Sequence, residues 1–184
     1  FSRYAQTQKA QVLGQALVAA SQTVEDRLVH SLHAYFLRRG DVNAPIVFEV
    51  DRSRDGGSFT SRRVVAIQHG QPILTMSASF HGDEPGLDHQ APMPEAPAPE
   101  TLRDLSAIHA EVFGGTADRT HAMLLAQRPF EFRPVREPEY FKPVPAPPRK
   151  QMWMRAVGRL PDDQPLHRCL LTYASDYDLL STAM

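Results

Sequence analysis

With 184 residues, 42% hydrophobic and 22% charged, the sequence has the balance of a soluble globular protein, one large domain or two small ones. Twenty Lys and Arg against 21 Asp and Glu leave a formal net charge of −1, which offers no basic field to a nucleic acid. The single cysteine, Cys169, rules out an intrachain disulfide and fits a reducing compartment, and no apolar run approaches the length of a membrane span.

In chain order, the first residues, FSRYAQTQKA, lack the continuous apolar stretch of a secretory signal. The sequence opens on Phe1 rather than methionine, so a processed form or part of a longer protein is expected. From Gln11 to Thr23 the pattern predicts a helix. Val12, Ala16, Ala19 and Ala20 share one side and Leu13 and Leu17 add a second strip, so the helix is expected to be buried. Gly14 weakens such a helix by about 1 kcal/mol relative to alanine, a cost that close packing explains. Residues 27–41 read as a strand ended by Gly40-Asp41, and three more strands follow to Phe80. Ile46, Phe48 and Val50 alternate with Val47, Glu49 and Asp51, and Thr60, Arg62, Val64 and Ala66 lie opposite Phe59, Ser61, Arg63, Val65 and Ile67. Asp55-Gly56-Gly57 is expected to turn through positive-φ glycines, and His69-Gly70-Gln71-Pro72 makes the second turn. The result is an antiparallel meander whose apolar face is satisfied by wrapping around the helix.

Five prolines between Gly82 and Glu100 exclude helix and central strand, leaving an extended or ordered linker. Thr101 to Leu125 is weakly helical, with Gly114-Gly115 as a stop. RPFEFRPV and KQMWMRAVGRL are short strands around a second proline-rich stretch from Pro134 to Pro148. Pro161 to Pro165 then supply the turn, acidic start and first-turn proline of a last helix. Strands and a core helix occur in both halves, with no repeat visible by residue identity.

Projected at 100° per residue, the last helix carries an apolar stripe of Leu166, Leu170, Tyr173, Ala174 and Tyr177, with Cys169 and Leu180 on one flank. His167, Arg168, Ser175 and Asp178 point away from it, toward solvent. Asp176 falls beside Cys169 at the edge of the stripe. Two readings are open there: a boundary carboxylate bonded to a neighbouring strand, or a carboxylate that orients or deprotonates a water beside an apolar groove. His30 and His33 would point to opposite faces of a regular strand, which argues against a shared metal. No serine, Ser31 included, sits in a G-x-S-x-G turn, Cys169 reads as an inert helix residue, and His121 carries no motif. Arg62 and Arg63 read as surface residues with one ion pair, or as an anion site.

The strings QVLGQALVAA, LVHSLHAYFLRRGD, RDGGSFTSRRVVAIQHGQPI, SASFH, GLDHQAPMP, RPFEFRPV, MWMRAVGRLPDD and HRCLLTYASDYDLL together resemble the acyl-CoA thioesterase II family over nearly the whole chain. The resemblance implies an α+β fold, a double hotdog in which each helix is wrapped by a curved antiparallel sheet. It implies residues 1–90 as the first hotdog, 91–127 as a proline-rich linker with a weak helix, and 128–184 as the start of a second hotdog that is incomplete in this chain. It implies hydrolysis of fatty acyl-CoA to fatty acid and coenzyme A, without cofactor or metal. An Asp, a Gln and a Thr or Ser would hold one water, the Asp lying in the motif that reads Tyr173-Ala174-Ser175-Asp176 here.

The family's Gln and Thr or Ser are expected beyond Met184; Gln151, Thr172 and Thr182 do not match their positions. The segment before QVLGQ also lacks the family's glycine pair. These residues alone are therefore expected to form an unstable, inactive fragment. A cytoplasmic homo-oligomer acting on acyl-CoA is implied, with no nucleic-acid or membrane partner. The alternatives are a non-catalytic acyl-thioester-binding or assembly module and an enoyl-thioester hydratase, the latter lacking a motif-supported Asp/His pair.

Overall fold

The computed structural model describes residues 3–114, 129–140 and 145–177, and the side chains of its first helix from Ala10 onward. Its order is α1 (Arg3–Ser21), β1 (Leu28–Phe36), β2 (Val47–Asp55), β3 (Phe59–Gln68), β4 (Gln71–His81), α2 (Leu105–Phe113), β5 (Phe130–Pro134), β6 (Met152–Ala156) and α3 (Gln164–Ser175). Two compact units result, one of residues 1–87 with 162–177, the other containing residues 88–161.

In the first unit β2, β3 and β4 form the expected meander, and β1 joins the far side of β4, giving the antiparallel order β1-β4-β3-β2. The inward faces of β3 and β4 are Val64, Ala66, Leu74, Met76, Ala78 and Phe80, and they close on Leu13, Ala16, Leu17 and Ala20 of α1. Burying each of Leu17, Leu74, Met76 and Phe80 contributes about 1.5–3 kcal/mol, which is why the sheet curls around this helix. Helix α1 starts earlier than the apolar pattern indicates, at Arg3, because the polar run before Gln11 contains no helix breaker.

The turns follow two different rules. His69 (φ 49°) and Gly70 (φ 69°) are both left-handed, the two-residue turn that matches strand twist between Gln68 and Gln71. The Asp55–Thr60 turn does not use positive-φ glycines as expected; only Gly70 and Gly158 have positive φ among the described glycines. Gly56 is small for another reason: its N–H donates to Phe59 O at 2.9 Å, and a Cβ there would stand 2.9 Å from that same oxygen.

Arg62 is not a surface residue. It shares the inward face of β3 with Thr60 and Val64 and is 3% exposed. Its Nε donates to Thr23 Oγ1, Nη1 to the carbonyls of Arg54 and Ser61, and Nη2 to Thr23 O and to Asp55 Oδ1 at 2.6 Å. Those bonds use the five donors of a guanidinium, so Arg62 clamps the end of α1 to the β2–β3 hairpin and has no donor left for an external anion. Gln68, also buried, holds the 41–44 loop by donating to Asp41 O and Ala44 O and accepting from Asp41 N.

In the second unit, Gln151 and Trp153 donate to Glu95 O and Pro97 O, and Arg133 donates to Pro99 O and Leu102 O. A proline-rich chain cannot offer a ladder of N–H groups, but its carbonyls remain available, and side chains on or next to the paired strands β5 and β6 read them. Helix α2 begins at an Asp104 cap that accepts from Ser106 N, ends at Gly114 as expected, buries Leu105, Ile108 and Phe113, and packs on β5. Residues 115–125 of the expected weak helix lie outside the described residues, His121 among them.

Candidate active site

Helix α3 begins where Asp163 accepts from Leu166 N at 3.3 Å, with Pro165 in its first turn. It packs on α1. Gly14 faces α3 at this contact: a Cβ there would lie 3.4 Å from Tyr173 Cβ and 3.5 Å from Cys169 O, so only a small residue fits. The thin spot inferred from the sequence is therefore a helix–helix contact.

That contact sets which side of α3 is buried. The packed face is centred on Cys169, with Thr172 and Ala174 also buried, while Leu166, Leu170, Tyr173 and Tyr177 are half-buried and Leu171 is 66% exposed. The apolar stripe read from the sequence is displaced by about one residue position, because α3 meets α1 at Gly14 through Cys169 and Tyr173. Arg168 is consequently not directed to solvent. It is half-buried and its Nη1 donates to Val29 O at 2.6 Å, tying α3 to the edge strand β1. His167 and Ser175 are exposed as expected, and Asp178, Leu180 and Thr182 lie outside the described residues.

Asp176 caps the C-terminal end of α3 in helical backbone (φ −82°, ψ −2°), and its side chain is half-buried. Tyr177 N donates to Ala174 O at 3.1 Å and closes the turn. On the same end of the helix, the Tyr173 and Tyr177 hydroxyls lie 2.7 Å apart. A carboxylate here sits at the negative end of the helix dipole, so helix energetics alone do not favour it. Chemically the position offers a proton acceptor at the boundary of a packed helix face. Gln151 belongs to the strap contacts of the second unit, and Thr172 is buried with its carbonyl accepting from Ser175 Oγ.

The Cys169 thiol is pushed up above its ordinary value by burial, with the Asp163 carboxylate adding to the shift and the Ser21 hydroxyl opposing it. A thiol held protonated is a poor nucleophile, in keeping with the inert reading. Strand β1 departs from regular alternation. The register passes from Val29↔Phe80 to Ser31↔Ser79, so His30 is the extra residue of a bulge. The bulge places His30 and His33 both on the exposed side, where His30 meets Ser79 Oγ at 2.9 Å; the opposite-face reading assumed a regular strand.

Residues 10–81 match the family described as acyl-CoA thioesterase N-terminal domain, and residues 120–184 match acyl-CoA thioesterase. The chain is 38% identical over 183 residues to acyl-coenzyme A thioesterase 8 of Homo sapiens, covering 95% of this chain and 57% of that protein. The crystal structure of an acyl-CoA thioesterase II, TesB2 from Mycobacterium marinum, superposes with a TM-score of 0.75 at 40% identity, over 98% of this chain and 63% of that one.

The chain belongs to the acyl-CoA thioesterase II family.

A hot dog protein from Alicyclobacillus acidocaldarius, 21% identical with a TM-score of 0.64, shares the fold. The α+β hotdog expected from the sequence is thus present, with α1 inside the β1–β4 sheet. The chain spans about three-fifths of the length of these thioesterase relatives. Among the described residues, no helix is long and apolar enough to cross a membrane.

Proposed function

We propose that this chain supplies the water-activating carboxylate of an acyl-CoA thioesterase, which hydrolyses fatty acyl-CoA to fatty acid and coenzyme A. The observation that carries the reading is Asp176: within a thioesterase-family chain, a half-buried carboxylate stands at the C-terminal end of the helix that packs on α1. A thioester carbonyl is a good electrophile and a thiolate a good leaving group. One carboxylate that takes a proton from a positioned water, with hydrogen bonds to the developing oxyanion, is sufficient chemistry.

In this reading residues 1–90 form the first hotdog, 91–127 the linker, and 128–184 the beginning of the second. The two family matches, 10–81 and 120–184, support that layout. The Gln and the Thr or Ser that complete the site lie beyond Met184. The protein works as a cytoplasmic homo-oligomer, and the exposed Tyr35, Val47 and Phe59 on the outer side of the sheet give subunits apolar surface to share. Light scattering on the full-length protein tests that point.

Thiol release from a series of acyl-CoAs tests the activity. In the full-length protein Asp176→Asn should lower kcat by about 10²–10⁴-fold, the range of general-base catalysis. Equal rates in the two proteins would remove Asp176 from the mechanism.

A further inference from the structure

Helices α1 and α3 run antiparallel. Gly14 lies against Cys169 and Tyr173, while Ser21, two turns on, shares a cleft with Pro165 at the start of α3. Their C-terminal ends are alike in a way that the strand-and-helix order of the chain conceals. One reads Ala20-Ser21-Gln22 and the other Ala174-Ser175-Asp176. Both alanines are buried, at 0% and 3% exposed. Both ends close with the same bond, Thr23 N to Ala20 O at 3.0 Å and Tyr177 N to Ala174 O at 3.1 Å. Equivalent antiparallel helices are related by an approximate two-fold axis through their contact. The surroundings of the Asp176 end therefore have a counterpart at the Gln22 end.

A cleft of about 340 Å³ is found at that counterpart. Ser21 and Val24 from the end of α1, Leu28 and Val29 from β1, Phe80 from β4 and Pro165 from α3 form its wall, and Asp26 and Arg27 complete it. The wall is mainly apolar with a few polar groups, and the volume is at the lower end of the range for small-molecule sites. We propose that this cleft is a second acyl-binding site, the counterpart of the site at Asp176; the assignment of the counterpart rests on the reading of Asp176 given above. At the matching position α1 carries Gln22 where α3 carries Asp176. Gln22 is exposed and outside the cleft wall, whose one carboxylate is Asp26, so the assignment is of binding alone. The occupant is an acyl chain of moderate length, reaching the cleft as the fatty acid product or as acyl-CoA.

Methyl NMR of the full-length protein, titrated separately with decanoate and with a decanoyl-CoA thioether analogue, tests this. Saturable shifts of the Val24, Leu28 and Val29 methyls are expected with at least one probe, and the probe that causes them identifies the source. Leu28→Trp or Val24→Phe, which fill the cleft, should abolish the shifts, and Asp176→Asn should leave them in place. No shift of these methyls in the wild-type protein up to the solubility limit of both probes would overturn the proposal, whether or not the filled variants fold. Shifts that survive in a folded Leu28→Trp variant would also overturn it. Absence of hydrolysis with retained shifts would sink the thioesterase reading of Asp176 and leave the cleft as an acyl site.

Discussion

The guanidinium of Arg62 is held by five hydrogen bonds in a wall of apolar side chains, so its removal strands several acceptors at once. Its ion-pair partner Asp55 is 61% exposed and keeps its water when the arginine is lost, which limits the penalty. Arg62→Met should cost about 2–4 kcal/mol in urea unfolding, through the acceptors at Thr23, Arg54 and Ser61. A loss below about 0.5 kcal/mol, the scatter of ordinary surface changes, would show that the clamp is not structural. Gly14 gives the opposite sign. A Cβ at 3.4 and 3.5 Å from α3 is in ordinary contact, so Gly14→Ala gains helix propensity without strain and should stabilise by about 0.5–1 kcal/mol. Gly14→Leu has no such room and should lower the melting temperature. At both positions the signal was present in the residues. The alternation of β3 put Arg62 beside Val64, and only the habit of placing arginine outside concealed its burial. Asp176 is different: helical projection left two readings open, and the motif Tyr173-Ala174-Ser175-Asp176 is what favours one of them.

At the scale of elements, turns and strands that obey two-residue alternation were legible, and the departures from it were not. The bulge at His30 moves every later side chain of β1 to the other face, and no residue in LVHSLHAYF announces it. The face that α3 buries was misplaced for a related reason, since it is chosen by a glycine on another helix 155 residues before Cys169. The proline strap was recognised as extended, but its anchoring by Gln151, Trp153 and Arg133 depends on the β5–β6 pairing and has no local signature.

That same hairpin carries a pH-dependent contribution. Arg133 first, and then Arg155, hold the Glu131 carboxyl below its usual range. A carboxyl whose folded pKa is depressed contributes stability that is complete above its unfolded value and is lost as the pH falls through the folded one. Glu131→Gln should therefore lower the melting temperature of the hairpin unit at pH 7. The gap from wild type should shrink as the pH drops below the ordinary carboxylate range, and a gap constant down to full protonation would rule the ion pairs out as its source. The effect should be small, because these arginines are partly or largely exposed.

At the scale of the molecule, one feature lies beyond any reading of local pattern: the unit built on the first 87 residues takes its second helix from the far end of the chain. Periodicity identifies α1 and α3 as buried helices without saying that they bury each other. The contacts that join them are a glycine facing Tyr173 and a buried Cys169 beside Ser21, and Arg168 ties α3 to β1 through the carbonyl of Val29. None of these depends on the chain being continuous through the linker. Residues 83–95 are exposed and carry no regular structure, so they are the natural place for a protease to cut. A single nick there should leave residues 1–82 and the piece bearing α3 associated, eluting together on size exclusion under native conditions and separating only in denaturant. Release of residues 1–82 by itself under native conditions would mean that the α1–α3 interface is too weak to hold the helix bearing Asp176 in place, and the positioning of that carboxylate would have to come from elsewhere in the protein. Gly14→Leu in the nicked protein sharpens the test, because it acts only at this interface: it should loosen the two pieces where Gly14→Ala leaves them joined.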